Sequence, residues 1–253
     1  MVRVLRACVA LAVSAIVGIA PAAGQGRGAQ TTPPRPAREA APIDLTGYWV
    51  SVVTQDWRWR MVTPAKGDYG SIPITLEAKK VGDGWDPAKD EAAGEPCKSY
   101  GAPALMGIPT RLRIGWQDDN TLKLETDAGM QTRLFRFRGS EAPAAPASWQ
   151  GDSIAEWESP PGARGARPAS GSLKVVTKNL RAGYLRKNGV PYSASAVLTE
   201  YWDLATERNG DRWITITSTV EDSTYLREPW VTALQFKKER DGAKWDPAPC
   251  SAR

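Results

Sequence analysis

Residues 111–138, RLRIGWQDDNTLKLETDAGMQTRLFRFR, contain three segments in which apolar and polar side chains alternate. Turn-forming residues separate these segments, at Asp118-Asp119-Asn120 and at Ala128-Gly129. Alternation with a period of two is typical of strands that bury one face. The stretch therefore predicts a three-stranded antiparallel meander.

Similar strand patterns extend over most of the chain. Alternation, or enrichment in β-branched and aromatic residues, predicts ten strands, at residues 45–53, 57–62, 111–117, 121–127, 131–138, 149–158, 172–180, 197–205, 213–220 and 231–238. Helix-capping signals occur only around Thr75 and Asp86, where short helices are predicted through residue 93. We therefore predict an all-β fold, an antiparallel β-barrel or sandwich of about ten strands with one short helical insertion.

The N-terminal region has the features of a secretory signal peptide. Arg3 and Arg6 precede an apolar run, and small residues offer cleavage after Ala22 or Gly24. The run of about 14 residues is shorter than the roughly 20 that span a membrane, so no membrane insertion is expected after cleavage. We predict a signal peptide at residues 1–24, a disordered tether rich in Pro, Gly and Ala at 25–42, and a single β domain at 43–253. The predicted location is periplasmic or secreted.

Two cysteines remain after the predicted cleavage, Cys97 and Cys250. An even number of cysteines in an exported chain predicts a disulfide, which would hold the C-terminal end to the domain. The alternative is two unrelated buried thiols.

Charge and histidine content exclude several classes of function. Five of the 33 basic residues and one of the 28 acidic residues precede residue 43, so the predicted domain carries 28 basic and 27 acidic groups. Such a balance does not indicate a nucleic-acid partner. The chain has no histidine, which excludes Ser-His-Asp catalysis and histidine metal sites. No cofactor and no metal ligands are predicted.

Turn lengths predict which side chains share a face of the sheet. In the meander, Trp116 is expected opposite Leu122, Leu122 opposite Phe135, and Leu124 opposite Arg133. Arg133 thereby falls on the apolar face, where a lone charge is costly.

A second charged residue is predicted on an apolar face. A three-residue loop at 209–211 keeps the apolar faces of the flanking strands matched and places Glu200 opposite Val220. Buried charges are normally paired or face a wet cavity. One interpretation is a polar spot in the mouth of a barrel or sandwich. The alternatives are a structural ion pair, or a register error that leaves both residues in solvent. The candidate ligand-binding residues are Arg133, Glu200, Trp116, Phe135, Phe137 and Trp202.

Two resemblances accompany these patterns. The opening Leu45-Thr46-Gly47-Tyr48-Trp49 resembles the G-x-W motif of lipocalin-type barrels. A longer pattern is similar to a widespread group of uncharacterised exported bacterial β proteins, and it comprises Cys97, Gly101, Pro103, Pro109, residues 149–158, 173–177 and 189–193, Glu200 and residues 220–230. That group often has His at the position of Tyr192 and Pro at that of Ser223. The resemblance implies export and a β fold, and no activity.

Three functions are compatible with these features. The leading hypothesis is a periplasmic or secreted protein that binds or carries a small, partly apolar or aromatic molecule in an aromatic-lined cavity. The first alternative is a cofactor-free isomerase, lyase or hydratase with Glu200 as its carboxylate base, assisted by Arg133, Tyr201 or Tyr192. The second is an envelope structural or interaction protein that uses exposed strand edges or loops.

Overall fold

The computed structural model describes residues 35–138, 140, 145–159 and 171–253. The predicted signal peptide and the first part of the predicted tether lie outside these residues. Among the helices that are described, none has the length and apolar character needed to span a membrane.

Nine strands form a closed barrel, which confirms the predicted all-β fold and is the first of the two predicted architectures, barrel or sandwich. They are β1 (Gly47–Val52), β2 (Arg111–Asp118), β3 (Thr121–Thr126), β4 (Thr132–Phe137), β5 (Asp152–Glu158), β6 (Ser172–Lys178), β9 (Val197–Thr206), β10 (Arg212–Glu221) and β11 (Trp230–Lys238). Their order around the barrel is β1-β11-β10-β9-β6-β5-β4-β3-β2, closing back onto β1. A separate hairpin consists of β7 (Gly183–Arg186) and β8 (Val190–Tyr192).

One pairing in the barrel is parallel. Strands β4 and β5 run in the same direction, with Phe135 beside Ser153 and Phe137 beside Ala155. The other pairings are antiparallel, as predicted. The difference arises because the chain returns to the same end of the barrel between β4 and β5 instead of making a hairpin.

One short helix precedes β1, and the other described helices lie in the connection between β1 and β2. They are α1 (Ala37–Ala40), α2 (Trp57–Arg60), α3 (Leu76–Asp83), α4 (Pro87–Ala92), a 3-10 helix (Pro96–Ser99) and α5 (Ala102–Leu105). The hydroxyl of Thr75 accepts a hydrogen bond from the Ala78 amide (3.1 Å), and the Asp86 carboxylate accepts one from the Ala88 amide (3.0 Å). These contacts confirm the two predicted helix caps.

The predicted strand at residues 57–62 is wrong, because this segment contains helix α2. Asp56 adopts a left-handed conformation, with φ at 52°, and turns the chain out of β1. The Met61 amide then donates to the Trp57 carbonyl (2.9 Å), which closes a helical turn. Strands β7 and β8 were not predicted, since all their residues are buried and no alternation marks them.

The end of the predicted tether packs against the domain. The Ala37 amide donates to the Asn120 side chain, and the Ala37 carbonyl accepts from the indole nitrogen of Trp157, both at 2.8 Å. Ala37 is buried in the main apolar cluster together with Trp116 and Phe137. Helix α1 therefore closes the end of the barrel that carries the β2–β3 turn.

The predicted disulfide is present between Cys97 and Cys250, whose Cα atoms lie 5.0 Å apart. The neighbouring Ala252 amide donates to the Glu91 carboxylate (2.9 Å). Ala248 forms a bridge with Ala128 in the β3–β4 turn. The C-terminal residues are thus fixed to α4, to the 3-10 helix and to the barrel.

Candidate functional site

The predicted strand registers are confirmed in the meander of β2, β3 and β4. The register of β9 with β10 differs from the prediction, because the loop between these strands is displaced. Trp116 pairs with Leu122, Leu122 with Phe135, and Leu124 with Arg133, as expected. Glu200 pairs with Ser218 rather than with Val220. The loop occupies residues 208–210, one position earlier than predicted, since the Glu207 amide already bonds to the Asp211 carbonyl. This shifts the pairing by two residues and keeps Glu200 on the inner face.

Arg133 and Glu200 form a buried ion pair inside the barrel. Arg133 Nη1 donates to Glu200 Oε1 at 3.0 Å and Nη2 donates to Oε2 at 2.6 Å. The side chains are 0% and 1% exposed. Arg133 Nη2 also donates to the Thr177 hydroxyl (3.2 Å), which shares a hydrogen bond with Ser153 (2.8 Å). The sequence left three possibilities for these two residues: a polar spot in the mouth of the barrel, a structural ion pair, or exposure to solvent. The structure contains the ion pair.

The aromatic candidates fill the interior around and beyond this pair. The Phe135 and Trp202 rings, both fully buried, lie edge to face with centroids 5.5 Å apart. Trp116 and Phe137 lie towards the end closed by α1, with centroids 5.8 Å apart. The expected aromatic-lined cavity is therefore occupied by its own side chains.

A cavity of about 90 Å³ lies at the opposite end of the barrel. Its floor includes Ser218, Val220 and Leu234 from β10 and β11, and its cover includes Met106, next to α5, and Leu185 on β7. The six candidate residues from the sequence are not among the described residues that line this cavity. They are Arg133, Glu200, Trp116, Phe135, Phe137 and Trp202. The ion pair lies next to this floor, because Ser218 is the cross-strand partner of Glu200.

Arg186 on β7 is the most deeply buried charge in the wall of the cavity, at 9% exposure. Its Nη1 donates to the Gly70 carbonyl and its Nη2 to the Ser71 hydroxyl, both at 2.9 Å. Its guanidinium lies 5.2 Å from the centroid of the Trp59 ring. Burial lowers the pKa of Arg186 to about 10, and the negative charges of Asp56 and Asp68 oppose this only in part.

Arg60 on α2 provides a second guanidinium. Its Nε donates to the Gly107 carbonyl (2.8 Å) and its Nη1 to the Gln55 carbonyl (3.4 Å). Its Nη2 is buried and has no hydrogen-bond partner among the residues described. Burial lowers the pKa of Arg60, and the charge of Asp56 partly opposes the shift.

Sequence reasoning missed both arginines. Arg60 belongs to the Trp-Arg-Trp-Arg segment whose alternation predicted a strand, so its place beside a cavity was not apparent. Arg186 lies in a hairpin that carried no strand pattern, and we find no sequence signal for its burial. Among the described residues, no group of three or more Cys, Asp or Glu could hold a metal ion.

The sequence matches no protein-family model and no curated protein. Functional inference therefore depends on the geometry of this cavity.

Proposed function

We propose that the protein binds and carries a small, partly apolar ligand in the cavity at the end of the barrel opposite α1. The observation that carries the proposal is a wall in which Leu185, Val220 and Leu234 lie beside the guanidinium groups of Arg60 and Arg186. Apolar walls with a few fixed polar groups are typical of small-molecule sites. The proposed site therefore lies beside the Arg133–Glu200 pair and does not include it.

The size of the cavity favours a small ligand. About 90 Å³ can hold several water molecules, since roughly 10–15 Å³ is enough for one. A compact molecule with a short hydrocarbon part would replace those waters and gain the free energy of apolar burial. Trp59 and Trp230 line the same space, so their fluorescence would report its occupation.

The enzymatic alternative receives less support. Both carboxylate oxygens of Glu200 accept hydrogen bonds from Arg133, so this carboxylate is not free to act as a base. Glu200 is also separated from the cavity by the position of Ser218.

An exported location is part of the same proposal. The Cys97–Cys250 disulfide fits an oxidising compartment, which is compatible with the periplasm or with secretion. The signal peptide predicted at residues 1–24 would direct the chain there.

The test is to fill the cavity and measure binding. Thr232 lies on β11 and lines the cavity, whereas Val231 is 55% exposed, so Thr232→Phe is matched by Val231→Phe on the same strand. Binding of hexan-1-ol, hexanamide and hexanoate is measured by tryptophan fluorescence and calorimetry. We expect wild type and Val231→Phe to bind at least one of the probes, and Thr232→Phe to lose at least tenfold in affinity. Absence of binding to wild type, or equal binding by a folded Thr232→Phe, would overturn the proposal.

A further inference from the structure

We propose that the ligand is a small organic carboxylate whose head group is bound by Arg60, with Arg186 contributing a second positive charge. This inference rests on the proposed function and specifies the chemical class of the ligand. The two arginines come from different elements, α2 and β7, and are brought together only by the fold.

The charges along the cavity favour an anion. Arg60, Arg186 and Lys187 line it as cations, and Asp56 is the one carboxylate among its described lining residues. The Lys187 ammonium bonds to the oxygen of the terminal Arg253, and Asp68 also acts on Arg186, so the two guanidinium groups are the positive charges that remain to attract a ligand. The guanidinium partners identified above are carbonyls and one hydroxyl, with no carboxylate among them. Such partners satisfy N–H groups without neutralising the charge.

Arg60 offers a donor that the described residues leave unsatisfied. A buried polar atom without a partner has a free-energy cost, and native structures contain few of them. Arg60 Nη2 is such an atom on a residue that lines a cavity; because the atom itself is excluded from solvent, a ligand oxygen reaches it only after a shift of the guanidinium. An acceptor oxygen on a ligand would remove that cost, and a charged acceptor would form the stronger bond.

Arg186 is arranged to provide charge without movement. Two hydrogen bonds and the Trp59 ring fix its guanidinium before any ligand arrives. A preorganised charge in a largely buried site attracts an anion more strongly than a mobile charge in water does. The pKa of Arg186 is lowered by burial, so a bound anion would favour its charged form and raise that pKa.

The composition of the wall favours a carboxylate over a phosphate. A phosphate presents three oxygens and requires several donors, whereas a single unsatisfied guanidinium nitrogen suits a planar carboxylate. The apolar side chains of Leu185, Val220 and Leu234 would contact the hydrocarbon part of such a molecule.

The deciding experiment compares hexanoate with hexanamide, which have the same chain length and differ in charge. Both are titrated into the full chain at pH 7 by calorimetry. We expect hexanoate to bind wild type at least tenfold more tightly than hexanamide. Equal affinities would overturn the carboxylate inference and leave the proposed function standing. If neither probe binds and hexan-1-ol also fails, both proposals are overturned.

Variants on α2 then locate the head group. Arg60→Gln should lower hexanoate affinity about tenfold and change hexanamide affinity less than twofold. Arg58→Gln is the matched control, because Arg58 lies on the same helix, is 66% exposed and pairs with Asp68 outside the cavity wall. Thermal unfolding checks that both variants fold. A folded Arg60→Gln with unchanged hexanoate affinity would contradict the inference, and the wild-type comparison decides the chemical class even if that variant does not fold.

Discussion

Arg133 on β4 and Glu200 on β9 are joined by two hydrogen bonds across the interior of the barrel, although β5 and β6 separate their strands in the sheet. Both side chains are excluded from solvent. Their attraction therefore acts in a poorly polarisable environment, and the loss of either partner leaves an uncompensated buried charge.

The first prediction concerns this pair. Glu200→Leu and Arg133→Met should each lower the free energy of unfolding by about 3–5 kcal/mol, because each leaves one charge buried alone. The double variant should be more stable than either single variant, since it leaves no charge in the core. Urea unfolding of the four proteins in a double-mutant cycle measures this. A double variant that loses the sum of the two single effects would contradict it.

Tyr192 and Tyr69 form a matched pair of tests. The Tyr192 hydroxyl is buried without a partner among the described residues, whereas Tyr69 donates to Asp83 at 2.9 Å. At pH 7, Tyr192→Phe should leave the free energy of unfolding unchanged or raise it by up to about 1 kcal/mol, and Tyr69→Phe should lower it by about 1 kcal/mol. Urea unfolding measures both. Equal destabilisation would show that Tyr192 has a bonding partner.

The same variants should differ at alkaline pH. Burial raises the pKa of Tyr192, and burial with the Asp83 bond raises that of Tyr69 to about 12. Each tyrosine stays protonated in the folded state and ionises near pH 10 in the unfolded state. The contribution of each tyrosine to the free energy of unfolding is thus fully present below pH 10, and it falls as the pH rises towards the pKa of the folded state. Between pH 7 and pH 10.5, the free energy of unfolding should fall by about 1 kcal/mol less in each Phe variant than in wild type. Urea unfolding at the two pH values measures this.

Predictability differed between local and distant features. The registers of Trp116, Leu124 and Arg133 were predicted correctly because the chemistry of short turns fixes them. The orientation of Glu200 was predicted correctly although the position of the loop was wrong, because a shift of two residues returns a side chain to the same face of a strand.

Other features depended on contacts that sequence patterns do not record. Alternation of Trp and Arg at residues 57–60 fits a strand as well as a short helix, and the left-handed Asp56 that decides between them was not foreseeable. The joining of β1 to β11 connects distant parts of the chain, and the parallel pairing of β4 with β5 is not set by a tight turn. The cavity was missed for the same reason, since Arg60 and Arg186 line a common space only in the folded protein.

The disulfide should stabilise the domain. Cys97 and Cys250 are separated by 153 positions, and a loop of that length gives at most about 5 kcal/mol in the chain-entropy model. Replacement of both cysteines by serine should lower the urea concentration at the midpoint of unfolding. The control is wild type with and without reductant, where labelling under denaturant should find two more thiols after reduction than before it. An unchanged midpoint in the variant would contradict a stabilising role.

The segment containing α1 should also stabilise the barrel. A chain that begins at residue 43 lacks the Ala37 carbonyl to which Trp157 donates. Compared with a chain that begins at residue 35, it should unfold about 1–3 kcal/mol more easily and emit at longer wavelength, because the aromatic end becomes wet. Identical urea curves and emission spectra would show that α1 contributes nothing to stability.

The parallel pairing of β4 with β5 has a consequence for assembly. Strands β2, β3 and β4 follow one another in sequence and can associate early, and the same holds for β9, β10 and β11. The join between β4 and β5 closes a longer loop than the hairpins do, so it is expected after them, and the pairing of β1 with β11 closes the longest loop of the barrel. Arg133 lies on β4, on one side of this join, and Glu200 lies on β9, on the other side. A chain that closed in another register would enclose two unmatched charges, so the ion pair penalises misfolded barrels as well as stabilising the native one.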